Sequence, residues 1–311
     1  MPARVSGDWS KDMKSAILAV LCIAFTFTLR TSGQTTTTYD TGKGHGTPLI
    51  PTVHSEIPNT LPAVVITSDY YAQPKVLVLH ALNNSGKDIT GYTIIIRHKN
   101  ADGTIDKGGR TEYGSDMLSV LITAQMAKDP AASESIRLQN SGNKIFNDGG
   151  NGIFFAGQTR DTTLTGINSA SEQDITAGVV FYTDGTYEEQ DKDAFKRMIA
   201  NRQKDLLVMK KVNEAIENAL ADPANDHPVA AALAELTKAA IQAATHKPDG
   251  TYDPAQGLQW PLQNAIQNLS NMQGQQGGKT ERERLTQYVE EQEKRVELMT
   301  PHCHLEIALK Q

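Results

Sequence analysis

The sequence predicts a mixed α+β protein: an N-terminal antiparallel β-sandwich followed by a C-terminal α-helical bundle or hairpin. Two observations carry this. Between residues 63 and 189, short β-branched runs alternate with turns rich in Asn, Asp and Gly. From Gln190 onward, apolar residues instead recur every three or four positions, the period of a helix. A third observation bounds the answer: 311 residues, 39% hydrophobic and 21% charged, suffice for a packed core and about two domains.

The chain opens on an uncharged apolar run, Ser15–Leu29, behind Lys11 and Lys14. That is the length of a signal-peptide core and short of the ~20 residues a membrane-spanning helix needs. The small residues Thr31-Ser32-Gly33 follow, so cleavage is expected after Gly33 and residues 1–33 are read as a signal peptide. The mature chain is then extracytoplasmic, periplasmic or secreted; the alternative is an uncleaved segment that anchors it to the membrane. Met13-Lys14 stands where a compact signal sequence would begin, so translation starts at either Met1 or Met13. Cys22 lacks the small preceding residues of a lipoprotein box, and its removal would leave Cys303 alone, as an inert thiol with no disulfide. Residues 34–62, with Thr35–Thr38 and a high density of Gly and Pro, read as a flexible leader.

Strands are expected at Ala63–Ser68, Lys75–Leu82, Ile89–Lys99, Met117–Gln125, Ser135–Leu138, Gly152–Gln158 and Gly178–Tyr187, the last folding over Asp184-Gly185. Asn83-Asn84-Ser85-Gly86-Lys87 and Asp102-Gly103 supply turns. Val76–Thr104, with its Leu-Asn-Asn-Ser-Gly-Lys-Asp-Ile-Thr-Gly-Tyr core, resembles bacterial immunoglobulin-like or fibronectin-III-like sandwich domains. The inter-sheet cysteines and core tryptophan of antibody-type domains are missing. The resemblance implies a fold that commonly spaces, adheres or binds.

Helices are expected over Gln190–Asp222, Pro228–His246, Gln256–Gln273 and Lys279–Met299. Arg202 and Asn213 interrupt a heptad seam in the first, and Leu285, Tyr288, Val289, Val296 and Met299 form a narrow stripe on the fourth. Both patterns point to packing within the chain in preference to a coiled coil.

The net charge is −6; residues 1–33 hold Arg4, Lys11, Lys14 and Arg30 against Asp8 and Asp12, a balance of +2, so the remainder carries −8. An acidic body excludes nucleic acid and anionic lipid as expected partners, leaving a protein or envelope component. With no nucleophile elbow, phosphate loop or dinucleotide fingerprint, no cofactor is expected. His302 and His304 are the only nearby pair that could share a zinc or copper ion, and Pro301–His304 reads as a solvated tail. If the strands carrying His80 and His98 pair through Asn84–Lys87, His80 falls opposite about Gly91, so the two are not co-ligands. Asn147–Gly152 reads as a loop, and Asp184, Glu188, Glu189, Asp191 and Asp193 as solvated charge helped by a helix dipole. Asp-Gly-Thr at 102–104, 184–186 and 249–251 marks turns and not a repeat. The expected function is non-catalytic binding, adhesion or envelope scaffolding. The alternative is a carboxylate-based hydrolase using Asp174, Asp184 and Glu188.

Overall fold

Short apolar, β-branched runs build most of the strands, and a computed structural model shows how they pair. It describes residues 51–58, 61–73, 75–127, 129–138, 152–167, 170–245, 257–273 and 278–305. The signal segment, the threonine run, Cys22, most of Asn147–Gly152 and Asp249–Thr251 lie outside the described residues. The class is α+β with antiparallel sheets.

The first sheet has the order β1 (Val53–Ile57), β2 (Val64–Tyr71), β3 (Val76–Asn83), β6 (Thr159–Thr165). The second has the order β5 (Ile105–Asp116), β4 (Ile89–Lys99), β7 (Gln173–Tyr182), β8 (Tyr187–Glu189). One hydrophobic cluster draws on both, with Ile66, Leu77 and Leu79 from the first and Ile94, Ile175 and Val180 from the second.

The strands on either side of Asn84–Lys87 do not pair with each other. β3 and β4 sit in different sheets, and His80 faces Thr67 on one side and Asp161 on the other, not Gly91. Asn83 explains the crossing. Its Nδ2 donates to the carbonyls of Lys87 and Phe154, both at 2.8 Å, while its Oδ1 accepts from the Ser85 hydroxyl at 2.7 Å. A fully buried amide thus holds a corner between sheets where a hairpin turn was expected.

Two expected strands are helices, α1 (Leu118–Met126) and α2 (Pro130–Leu138). The Asp116 carboxylate accepts from Leu118 N at 3.1 Å, and Asp129 accepts from Ala131 N at 3.1 Å, so each helix start has an acidic acceptor for its free amides. Leu118, Leu121 and Ile122 then face the core at helical spacing. Gly152–Gln158 contributes only a bridge between Phe154 and Ile89. The hairpin over Asp184-Gly185 forms as β7–β8, with Gly185 at φ +82°.

The four later helices are α3 (Lys192–Ala221), α4 (Pro228–Thr245), α5 (Gln259–Ser270) and α6 (Glu281–Met299). Asp191 caps α3, accepting from Ala194 N at 2.9 Å, and Thr280 with Glu283 forms a capping box on α6. The N-terminal part of α3 lays Ala194, Phe195, Met198 and Ile199 on Ile95, Val179 and Phe181 of the second sheet. Its C-terminal part shares another cluster with α4, α5 and α6, centred on Ile216, Leu236, Leu262 and Leu285.

The turn Thr300–Cys303 is not a solvated tail: His302 is 6% exposed and Cys303 is fully buried. Gln203 Nε2 donates to the Cys303 carbonyl at 2.9 Å, which docks the turn on α3. No described helix is long and apolar enough to cross a membrane.

Candidate functional site

A cavity of about 340 Å³ opens between α1, α3, α5 and α6. Its polar lining arises from helical spacing: Asn201 and Asp205 lie one turn apart on α3, Asn264 and Asn268 on α5, and Tyr288 and Gln292 on α6, with Arg295 beyond. Leu118, Ile122, Val208, Met209 and Met299 supply the apolar wall.

Asp116 and Arg202 line the same cavity. The Arg202 side chain is 2% exposed, and its Nε and Nη2 donate to the two Asp116 oxygens at 2.8 and 2.9 Å. The guanidinium also lies 4.3 Å from the Phe181 ring centre and donates to the His302 carbonyl at 3.3 Å. The pair cancels its own charge. Asp205 stands beside it without such a partner; the surrounding protein first, and then the Asp116 carboxylate, raise its pKa. Arg295 Nη1 donates to Thr123 Oγ1 at 3.4 Å.

Asp174 lies far along β7 from Asp184 and Glu188, which share one hairpin and both act on Tyr182, and none of the three lines this cavity. Asp174 is opposite Arg97 on β4, 3.6 Å away. Glu188 pairs with Val180, about 20 Å along β7 from Asp174 at strand rise. Glu188 accepts from the Tyr182 hydroxyl at 2.6 Å, and burial followed by that contact pushes the phenol pKa up. Asp184 lies in the turn with Lys87 at 2.7 Å, and the hydrogen bonds from Lys87 and Thr186 hold its carboxyl at about 2.

His302 and His304 flank buried Cys303. Burial, and then the Arg202 charge, lower the His302 pKa, so its ring is neutral at pH 7. The His304 ring packs edge-on to Tyr187, with centres 5.0 Å apart. Among the described residues no group of three or more His, Cys, Asp or Glu could hold a metal. His98 is opposite Gln173, in the other sheet from His80.

A second polar constellation crosses the outer face of the first sheet. His80 Nδ1 meets Asp161 at 2.7 Å and Nε2 meets Asp69 at 3.1 Å, while the other Asp69 oxygen meets His54 at 2.6 Å. Burial opposes charge on His80, but the hydrogen bond and charge of Asp161, followed by those of Asp69, outweigh it and raise the pKa. An imidazolium donating from both nitrogens fits this geometry. It fastens β2, β3 and β6 across their polar face.

Neither constellation is legible in the sequence, where His80 shows no link to Asp69 or Asp161. The polar pairs on α3, α5 and α6 stand at four-residue spacing in the sequence, but nothing local shows that the three share a cavity.

No protein-family model matches the chain, and no curated protein matches it. Among solved structures, a hypothetical protein from Peptoclostridium difficile 630 is similar at 11% identity and a TM-score of 0.20, over 50% of this chain and 91% of that one.

Proposed function

We propose that this chain is an exported binding module whose ligand seats in the cavity between α1, α3, α5 and α6. The two sheets form an immunoglobulin-like or fibronectin-III-like sandwich, and α3 to α6 form a helical bundle beside it. The observation that carries the reading is the convergence of polar side chains from three helices on one cavity with an apolar wall, the usual form of a small-molecule site. Binding is favoured over hydrolysis because Asp174 stands apart from Asp184 and Glu188, none of the three lines the cavity, and they are engaged by Arg97, Lys87 and Tyr182. The charge of −8 outside residues 1–33 supports a ligand other than nucleic acid or anionic lipid. Export rests on the Ser15–Leu29 run behind Lys11 and Lys14.

The test is ligand-observed NMR on the folded chain with a panel of amines, carboxylates, polyols and zwitterions, repeated on Ala265→Phe. Ala265 lines the cavity, so an added ring fills it. Binding that disappears in the variant supports the site; binding that persists, or an absence of binding, refutes it.

A further inference from the structure

Resting on the reading of the cavity as a binding site, we infer that its ligand is a small zwitterion bearing an apolar side group, in the size class of a free amino acid. Its ammonium would face Asp205, its carboxylate Arg295, and its side group the wall formed by Ile122, Val208 and Met209.

Charge makes the first argument. Four charged residues line the cavity, and two of them, Asp116 and Arg202, neutralise each other in a two-point contact. Asp205 and Arg295 are left over with opposite signs. Among the described residues Asp205 makes no hydrogen bond or ion pair, and Arg295 makes only the 3.4 Å bond to Thr123, which leaves most of its donors open. A cationic ligand would answer Asp205 and desolvate Arg295; an anion would do the reverse. A neutral polyol would bury both without an ionic partner, and an unanswered charge is costly when water is displaced. One molecule bearing both charges satisfies both residues. Asp205 is an exposed residue at the cavity mouth, and the surrounding protein and then the Asp116 charge raise its pKa against the weaker pull of Lys204.

The neutral lining makes the second argument. The side-chain amides of Asn201, Asn264, Asn268 and Gln292 make no hydrogen bond among the described residues, so each offers a donor and an acceptor to the ligand's polar end. Size makes the third. About 340 Å³ lies near the lower end of small-molecule sites, which suits a ligand of a few heavy atoms.

The experiment is isothermal titration of the folded chain with L-leucine, L-methionine and L-phenylalanine. N-acetyl-L-leucine, which lacks the ammonium, and L-leucine methyl ester, which lacks the carboxylate, run beside them with glucose and glycerol. At least one free amino acid should bind, and its N-acetyl or ester form should bind tenfold or more weaker, the factor expected for one charge-assisted contact. Asp205→Asn and Arg295→Gln should each weaken binding by a similar factor, with thermal melting confirming that both variants remain folded. If polyols bind in a manner lost in Ala265→Phe while amino acids do not, the zwitterion is wrong and the cavity stands. Equal binding of the blocked and free forms also overturns the zwitterion. If nothing in the panel binds, or binding survives Ala265→Phe, both readings fall.

Discussion

Replacing Asp116 by alanine should cost the fold about 3 kcal/mol, because it strands a buried guanidinium. The figure follows from the surroundings of Arg202. The side chain is 2% exposed, and its two short hydrogen bonds both end on Asp116. What would remain is a carbonyl at 3.3 Å, the Thr90 hydroxyl at 3.5 Å and the Phe181 ring, none of which carries a formal charge. Removing one partner of a buried pair costs about 3 to 5 kcal/mol. Asp116 itself keeps 30% of its side chain in water, so the lower end applies. Arg202→Met keeps most of the hydrocarbon and removes the charge, so its cost should be smaller, about 1 kcal/mol. The double variant should then resemble Arg202→Met alone, with a coupling of about 3 kcal/mol. Urea denaturation of the four proteins measures this, provided the slope of each transition is unchanged. A loss below about 0.5 kcal/mol for Asp116→Ala, or additive losses, would refute the reasoning.

The same guanidinium sets a second expectation. A Cβ at Gly91 would lie 2.9 Å from Arg202 Nη2 and 2.9 Å from Met198 Sδ, so Gly91→Ala should destabilise by about 1 to 3 kcal/mol in the same urea assay. His80 has a raised pKa, so its stabilising contribution is full below its ordinary value of about 6.5 and is lost as pH rises through the raised value. Urea midpoints of the parent and His80→Gln should therefore converge as pH rises from about 6.5, and a constant gap would count against the imidazolium. Asp191 behaves oppositely: the Arg110 hydrogen bond, outweighing burial, holds its pKa at about 2. Its contribution is present above the usual carboxylate value of about 3.9 and falls away toward about pH 2, a dependence that Asp191→Asn should flatten in acid-unfolding curves. Burial pushes the Cys303 thiol up to about 11, so in a Cys22→Ser background iodoacetamide should label it no faster than the chain unfolds.

The long helices and the tight turns were legible from sequence because each depends on neighbours in the chain. α3 keeps its three- and four-residue spacing over 30 residues, and Asp184-Gly185 turns β7 into β8 as its backbone chemistry demands. Met117–Gln125 was not legible. A short apolar run carries little period, and the acceptor that starts α1 belongs to Asp116, the last residue of the preceding strand. The allotment of β3 and β4 to separate sheets was hidden for a related reason: Asn83-Asn84-Ser85-Gly86 is good turn chemistry, yet the Asn83 amide reaches Phe154, 71 residues away. Arg202 stood out only as a break in a seam, because its partner Asp116 is 86 residues distant. The cavity gathers side chains from α1, α3, α5 and α6, and the His80 row from four strands, so no local window contains either.

The 30-residue helix α3 ties the sheets to the other helices. Its early turns are glued to Ile95, Val179 and Phe181, its late turns to the neighbouring helices, and Asn201 and Asp205 project from the stretch between. A single rod shared in this way makes the two halves inseparable by cutting: a polypeptide ending at Gln190 would expose the greasy back of its second sheet, while one starting at Lys192 would present bare Phe195 and Met198 to water. The cavity therefore cannot be transplanted without the sheet that holds one of its walls in place.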